Sequence, residues 1–312
     1  MTGDQRRLLL LDTASLYFRA FFGVKDLRPA EDGTPTNAVR GLLDMVATLV
    51  TRFRPDAVAA CWDESWRPAF RTAAIPSYKA HRLVEGTEDV EQTPPELDPQ
   101  VPLIRTLLGA LGVPVVGAAG YEADDVIATL ATRHRGRGPV AVVTGDRDLF
   151  QLVDDEAGVV VVYTARAGVR DAELITQQEL ATRYGVPTGA AYADMAVLRG
   201  DTSDGLPGVK GIGDKSAAQL IRQFGSLDGV LTALRAGDPS IKGARRANLE
   251  SASDYLAAAP AVVRTATDVP VPDVPLDLPR ELADPETVLE MTQAYGLANP
   301  VGRVMAALGL ER

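Results

Sequence analysis

The sequence predicts an α/β fold, a mostly parallel sheet flanked by helices over its first half, followed by a smaller helical domain. Three observations predict it. Short apolar runs of strand length recur between residues 8 and 163, the segments between them carry apolar residues at helical spacing, and after about Thr176 the strand-like runs stop.

In order, Leu8–Leu11 is the first strand-like run and ends at Asp12. A helix is expected over Ala38–Arg52 and a strand over Ala57–Cys61, which leads into Trp62 and Asp63. Between Pro68 and Pro102 the pattern gives way to Pro, Gly, Glu and basic residues, too long for an ordinary connection, and reads as a mobile loop or lid. A helix over Val101–Leu111 and a strand over Val113–Val116 follow. The segment from Glu122 carries Val126, Ile127, Leu130 and Ala131 on one stripe. It therefore reads as a helix with Asp124 and Asp125 in its first turn, where the helix dipole favours negative charge. Val140–Thr144 and Val159–Tyr163 complete the predicted strands. In the second half, Ala217, Leu220, Ile221 and Phe224 give Asp214–Phe224 helical spacing, with Gly225 as its stop. Val269–Pro279 reads as an extended crossing and Pro285–Leu308 as a last helical piece. The expected domains are residues 1–175 and 176–312.

A chain of 312 residues with 46% hydrophobic content can bury a substantial core. The first leucine run breaks after four residues, too short for a signal peptide or membrane span, so a soluble cytoplasmic protein with no membrane association is expected. The single cysteine, Cys61, excludes an internal disulfide and reads as a small buried apolar residue.

Acidic residues stand where the apolar runs end: Asp12, Asp63, then Glu122, Asp124 and Asp125, then Asp146 and Asp148, and finally Asp201 and Asp204. In an open α/β sheet, strand ends converge on one site. Carboxylates gathered there would repel one another unless a divalent cation supplied positive charge, and oxygen ligands with no matching Cys or His point to Mg²⁺ or Mn²⁺. Two ions could activate water and stabilise both oxygens of a phosphoryl displacement without a histidine base, and His81 and His134 lie outside the acidic strings.

A net charge of −10 argues on its face against a nucleic-acid partner, but local grouping matters more. Arg67, Arg71, Lys79, His81 and Arg82 lie together, and Lys210, Lys215 and Arg222 flank a glycine-rich turn; three of the five lysines fall in these stretches. The glycines there would let backbone N–H groups approach phosphates, helped by the start of the helix near Asp214. Gly208-Val209-Lys210-Gly211-Ile212-Gly213-Asp214-Lys215-Ser216 is not a nucleotide-binding P-loop, because Asp214 puts a negative charge where phosphate would sit and no strand precedes the run.

Together these strings resemble the bacterial 5′-nuclease (flap endonuclease) family, which includes the 5′-exonuclease domain of DNA polymerase I. The matching pieces span most of the chain: Leu11-Asp12 with Phe18-Arg19-Ala20-Phe21, Trp62-Asp63, Phe70-Arg71, Tyr78-Lys79-Ala80-His81-Arg82 and Gly120-Tyr121-Glu122-Ala123-Asp124-Asp125. Thr144-Gly145-Asp146-Arg147-Asp148-Leu149 follows, then Gly200-Asp201-Thr202-Ser203-Asp204 running into Leu206-Pro207-Gly208-Val209-Lys210-Gly211-Ile212-Gly213.

The resemblance implies a PIN-like nuclease domain, a helical arch over about residues 68–102, and a helix–turn–helix module over about 200–235 that grips duplex DNA. It implies a structure-specific 5′-flap endonuclease and 5′→3′ exonuclease of replication or repair, acting on flaps, nicks or free 5′ ends and leaving a 5′-phosphate and a 3′-hydroxyl. Asp12, Asp63, Glu122, Asp124, Asp125, Asp146, Asp148, Asp201 and Asp204 would hold Mg²⁺ or Mn²⁺, and Lys79, Arg82 and Arg71 would serve catalysis. Phe18, Arg19, Phe21, Tyr78, Gly208, Lys210, Gly211, Gly213 and Lys215 would contact DNA, with K⁺ in the glycine-rich turn. A stand-alone monomer without a fused polymerase is expected, working beside other replication or repair proteins. Phe18 stands where many relatives have tyrosine, and Glu85, Glu88, Asp89 and Glu91 make the arch region acidic. A structure-specific DNA-binding protein with a degenerate metal centre and a PIN-type ribonuclease are the alternatives.

Overall fold

The computed structural model describes residues 6–310. Its centre is a six-stranded sheet in the order β3-β2-β1-β4-β5-β6, formed by β1 (Leu8–Asp12), β2 (Ala57–Cys61), β3 (Val115–Val116), β4 (Val140–Thr144), β5 (Val159–Tyr163) and β6 (Glu173–Ile175). The first five strands are parallel, and β6 runs antiparallel to β5. The sequence pattern does not anticipate β6, whose three residues are too few for a periodicity to show.

Every residue of β1 is buried because the sheet is covered on both faces. Leu8 and Leu10 face one core with Ala57, Ala59, Val140 and Val142, while Leu9 and Leu11 face the other with Val58, Ala60 and Val143. The first core takes in α5 (Ala123–His134) and the helical domain; the second takes in α2 (Asn37–Phe53) and α4 (Gln100–Ala110). The helix α1 (Thr13–Gly23) leaves directly from β1. The expected arch consists of the six-residue α3 (Ala69–Ala74), one 3₁₀ turn at Ala80–Arg82, and a loop closed by the bridge Leu83–Glu91.

After β6, α6 (Gln177–Glu179) runs into a π-helical turn over Leu180–Tyr184. The helical domain then follows as α7 (Gly189–Arg199), α8 (Asp214–Phe224), α9 (Leu227–Arg235), α10 (Gly243–Ser251) and α11 (Ser253–Val263). The extended crossing returns to the sheet, where the Val58 N–H donates to the Leu276 carbonyl at 2.8 Å. The last helical piece breaks at Gly296, in the left-handed region at φ 60°, into α12 (Pro285–Ala294) and α13 (Ala298–Leu308). Val288, Met291, Leu297, Val301, Val304 and Leu308 from this piece pack into the core of α2 and α4, so these last helices belong by packing to the sheet layer.

Candidate active site

Parallel strands in register bring their last residues to one edge. β1 ends in Asp12, whose Oδ1 accepts the Ser15 N–H at 3.1 Å and so caps α1. Its Oδ2 accepts the Thr144 hydroxyl at 2.7 Å, and Thr144 Oγ1 in turn accepts the Asp146 N–H at 2.9 Å. Thr144, the last residue of β4, thus ties the Asp12 carboxylate to the Asp146 backbone across the strand switch between β1 and β4. It was not anticipated as a site residue; its signal was its place just before Gly145-Asp146. Asp63 lies beyond β2 and accepts the Ala123 N–H at 2.8 Å, at the start of α5. Asp146 Oδ1 accepts the Asp148 N–H at 2.9 Å.

Asp12, Asp63, Glu122, Asp124, Asp146 and Asp201 line one cleft of about 560 Å³, whose rim includes Tyr17, Phe18, Trp62, Trp66, Lys79, Arg82 and Glu91. Asp148 and Asp204 stand beside it, close enough to feel the Asp146 charge. Burial pushes Asp12 up to about 7, against the bond from Thr144, and the Asp63 charge adds to the shift. Burial followed by the charges of Asp12 and Asp146 holds Asp124 well above the usual carboxylate range, and burial with Asp146, Asp204 and Asp201 does the same to Asp148.

Among the described residues, no three His, Cys, Asp or Glu side chains form a ready-made metal cage. The expectation of carboxylates gathered within a few ångströms is therefore corrected to a ring around a cleft. The physical reason is that protein cations occupy some of the acids. Glu122 pairs with Arg71 and Lys79 and accepts the Tyr78 hydroxyl at 2.9 Å, while Asp204 accepts from Arg82 at 2.7 Å. Lys79 is held well above the ordinary lysine range because Glu122, with Tyr78 and Asp204, outweighs the opposing effect of burial.

Three more expectations are corrected. Asp125 is fully buried; its two oxygens receive both Nη groups of Arg71, at 2.7 and 2.8 Å, and the Ala266 N–H at 2.8 Å, leaving it facing protein instead of metal. Arg71 is 2% exposed beneath this network and cannot reach a phosphate as a catalytic residue. Tyr78, 4% exposed with its hydroxyl on Glu122, is not a DNA-contacting surface.

Of the remaining expected contacts, Phe18 lines the cleft beside Tyr17, with ring centroids 5.2 Å apart. Arg19 donates to the Ala165 carbonyl at 3.2 Å, and Phe21 is half-buried against the neighbouring core. Lys210, Gly211, Gly213 and Lys215 are exposed around the glycine-rich turn. Gly208 serves the turn's own packing, since with φ 62° a Cβ there would stand 2.1 Å from the Arg199 carbonyl oxygen. Asn248 of α10, unanticipated from sequence, donates to the Lys210 carbonyl at 2.8 Å.

The base of the arch is docked on the 201–206 turn. Lys79 N–H donates to the Asp204 carbonyl at 2.9 Å, Ser77 Oγ to the Gly205 carbonyl at 2.8 Å, and Arg82 to the Ser203 carbonyl at 2.9 Å. Gly205 makes this approach possible, because a Cβ there would meet the Ser77 oxygen at 2.2 Å.

Two family descriptions cover the chain in succession: "5'-3' exonuclease, N-terminal resolvase-like domain" matches residues 7–185, and "5'-3' exonuclease, C-terminal SAM fold" matches residues 187–286. The chain belongs to the 5′-3′ exonuclease family. A 5′-3′ exonuclease of Streptomyces coelicolor is 50% identical over 303 residues, covering 96% of this chain and 99% of that one. A 5′-3′ exonuclease of Mycobacterium tuberculosis is 50% identical over 311 residues, covering 96% and 97%. DNA polymerase I of Mycobacterium bovis is 42% identical over 250 residues, which are 78% of this 5′-3′ exonuclease family chain but 26% of the polymerase. The fold is also that of the T5 D15 flap endonuclease, solved as a pseudo-enzyme-product complex with DNA and metal ions, at a TM-score of 0.63, 18% identity and coverage of 97% and 100%. The catalytic core of Rad2 in complex with DNA substrate shares it at a TM-score of 0.60, 16% identity and coverage of 97% and 92%. Among the described residues of this family member, no helix is long and apolar enough to cross a membrane.

Proposed function

We propose that the protein is a divalent-metal-dependent 5′-nuclease that hydrolyses DNA phosphodiester bonds at flaps, nicks or free 5′ ends, in replication or repair in the cytoplasm. The observation that carries this reading is the cleft itself: Asp12, Asp63, Glu122, Asp124, Asp146 and Asp201, from five separate chain segments, line one groove together with Lys79 and Arg82. Family membership supports it independently.

The donor set fits Mg²⁺ or Mn²⁺. It is made of carboxylate oxygens, and withdrawal from water and crowding raise the affinity of Asp12, Asp124 and Asp148 for a proton, a positive charge that a hard cation would supply in its place. Asp12, Asp63, Glu122, Asp124, Asp146, Asp148, Asp201 and Asp204 would hold the ions, with Asp125 excluded by its bonds to Arg71. Bound there, the ions supply Lewis-acid charge for phosphodiester hydrolysis.

The chain's own residues do the rest. The Lys79 ammonium and Arg82 guanidinium can exchange Glu122 and Asp204 for the oxygens of an entering phosphate, bringing positive charge to the scissile group. Phe18 and Tyr17, their rings tilted 35° to each other, give an aromatic surface on which an unpaired base can stack. Thr144 holds the Asp12 carboxylate and the Asp146 backbone N–H. His81 is exposed and His134 Nε2 lies 2.7 Å from the Arg6 carbonyl; neither lines the cleft, so general acid–base work does not fall to histidine. Products are a 5′-phosphate and a 3′-hydroxyl. The exposed lysines and glycines of the 208–215 turn face a duplex backbone, and K⁺ in that turn belongs to the same reading.

A labelled 5′-flap duplex tests the proposal. Cleavage is expected with Mg²⁺ or Mn²⁺ and is expected to stop in EDTA, and Asp148→Asn is expected to slow it about a hundredfold or more. Tight binding with no metal-dependent cleavage would instead favour a DNA-binding protein, a reading that the pairing of Glu122 and Asp204 with protein cations favours. Preferential cutting of a matching RNA flap would favour a ribonuclease.

A further inference from the structure

Arg71 is placed where three parts of the molecule meet. Its Nε donates to the Val262 carbonyl at 3.0 Å, at the carboxyl end of α11. Its two Nη groups grip Asp125 of α5 at 2.7 and 2.8 Å, and Nη1 also reaches Glu122 on the wall of the cleft. The planar guanidinium fork spends Nε and both Nη groups in one arrangement, a geometry lysine cannot reproduce. Neighbouring bonds lock the same joint. Asp125 accepts the Ala266 N–H at 2.8 Å, Gln151 accepts the Thr265 N–H at 3.0 Å and donates to the Val263 carbonyl at 3.1 Å, and Thr129 Oγ1 accepts the Val269 N–H at 3.1 Å.

The other end of α11 is fixed to the module with the exposed glycine-rich turn. Tyr255 donates its hydroxyl to the Val197 carbonyl of α7 at 3.0 Å, and the turn after α7 is anchored by the Val209 N–H on the Leu198 carbonyl at 2.9 Å. From Tyr255 to Val262 the helix rises roughly 10 Å. α11, with Pro260 inside this span, is therefore a short connecting rod with the turn at one end and Glu122, through Arg71, at the other.

We propose that Arg71 is a positioning residue that registers the 208–215 turn against Glu122 and thereby selects which phosphodiester bond of a bound strand is cut. The role rests on the nuclease reading above. A duplex seated on the turn presents a strand to the carboxylates at a distance set by the rod, and a loosened joint lets neighbouring phosphates reach the same cleft. Destabilisation alone would lower the amount of active enzyme without moving the cut.

The test is single-nucleotide mapping of products from a labelled flap duplex in Mg²⁺, with the wild-type protein, Arg71→Lys and Asp125→Asn. The wild-type protein is expected to give one dominant product. Both variants are expected to lose about tenfold in kcat with KM within about twofold, and to spread incision onto adjacent bonds. If Arg71→Lys does not fold, Thr129→Val, which lacks the hydroxyl that holds Val269, is expected to show the same spread. Folded variants that cut the same single bond as the wild-type protein would overturn the role and leave the nuclease reading standing. A wild-type protein that cuts no DNA would overturn both.

Discussion

At the scale of single residues, protons and protein cations compete for the oxygens to which the proposed function assigns metal. Asp12 shows the proton's part. Its carboxyl is raised from 3.8 to about 7, chiefly by burial. The folded protein therefore binds this proton more tightly than the unfolded chain does, and the associated stability is full below pH 4 and is lost as pH rises through about 7. In EDTA, the gain in Tm of Asp12→Asn over the wild-type protein is expected to grow between pH 5 and pH 8, and millimolar Mn²⁺ is expected to shrink it. A gain that stays flat with pH would contradict burial as the cause. The same scale shows where sequence reading reaches its limit. Acidic residues after apolar runs marked the right edge of the sheet, yet Asp125 looked no different from Asp124, and Arg71 no different from Arg82. Only packing shows that Asp125 and Arg71 satisfy each other in the interior while Asp124 and Arg82 line the cleft.

Among elements, the strands were legible wherever a run of leucine, valine or alanine crossed a sheet buried on both faces. The short antiparallel β6 was not, because three residues carry no period and its place is set by β5. The arch was legible as an irregular stretch, but its docking on the 201–206 turn depends on Gly205, whose importance comes from a chain segment more than a hundred residues away. The turn before α8 also carries a prediction. Lys210 and Lys215 are exposed beside it, so replacing both by alanine is expected to lower the salt dependence of duplex binding by about 2 in the slope of log K against log salt, while sequence preference stays unchanged. Filter-binding or fluorescence titrations between low and moderate salt measure it; an unaltered slope would remove these lysines from the interface.

For the whole molecule, the formal charge of −10 stands beside local basic groups: Lys79 and Arg82 line the cleft among its acids, and exposed Lys210 and Lys215 sit on the helical domain. The core on one sheet face has an outer cover in α12 and α13, which pack on α2 and α4 and which the family descriptions leave almost wholly out, since the second ends at residue 286. Val304 is fully buried in that cover, so Val304→Asp is expected to lower unfolding free energy by more than about 4 kcal/mol, read by denaturant melts, even though it touches no carboxylate of the cleft.

The order of synthesis gives that cover a further meaning. All the acids of the cleft lie before residue 205, whereas the helices that pack on the outer side of α2 and α4 are made from residue 285 onward. A nascent chain can thus display every acid of the cleft while the outer side of α2 and α4 is still bare. A chain that stops short of these late helices carries every acid of the cleft above a core whose outer side is open.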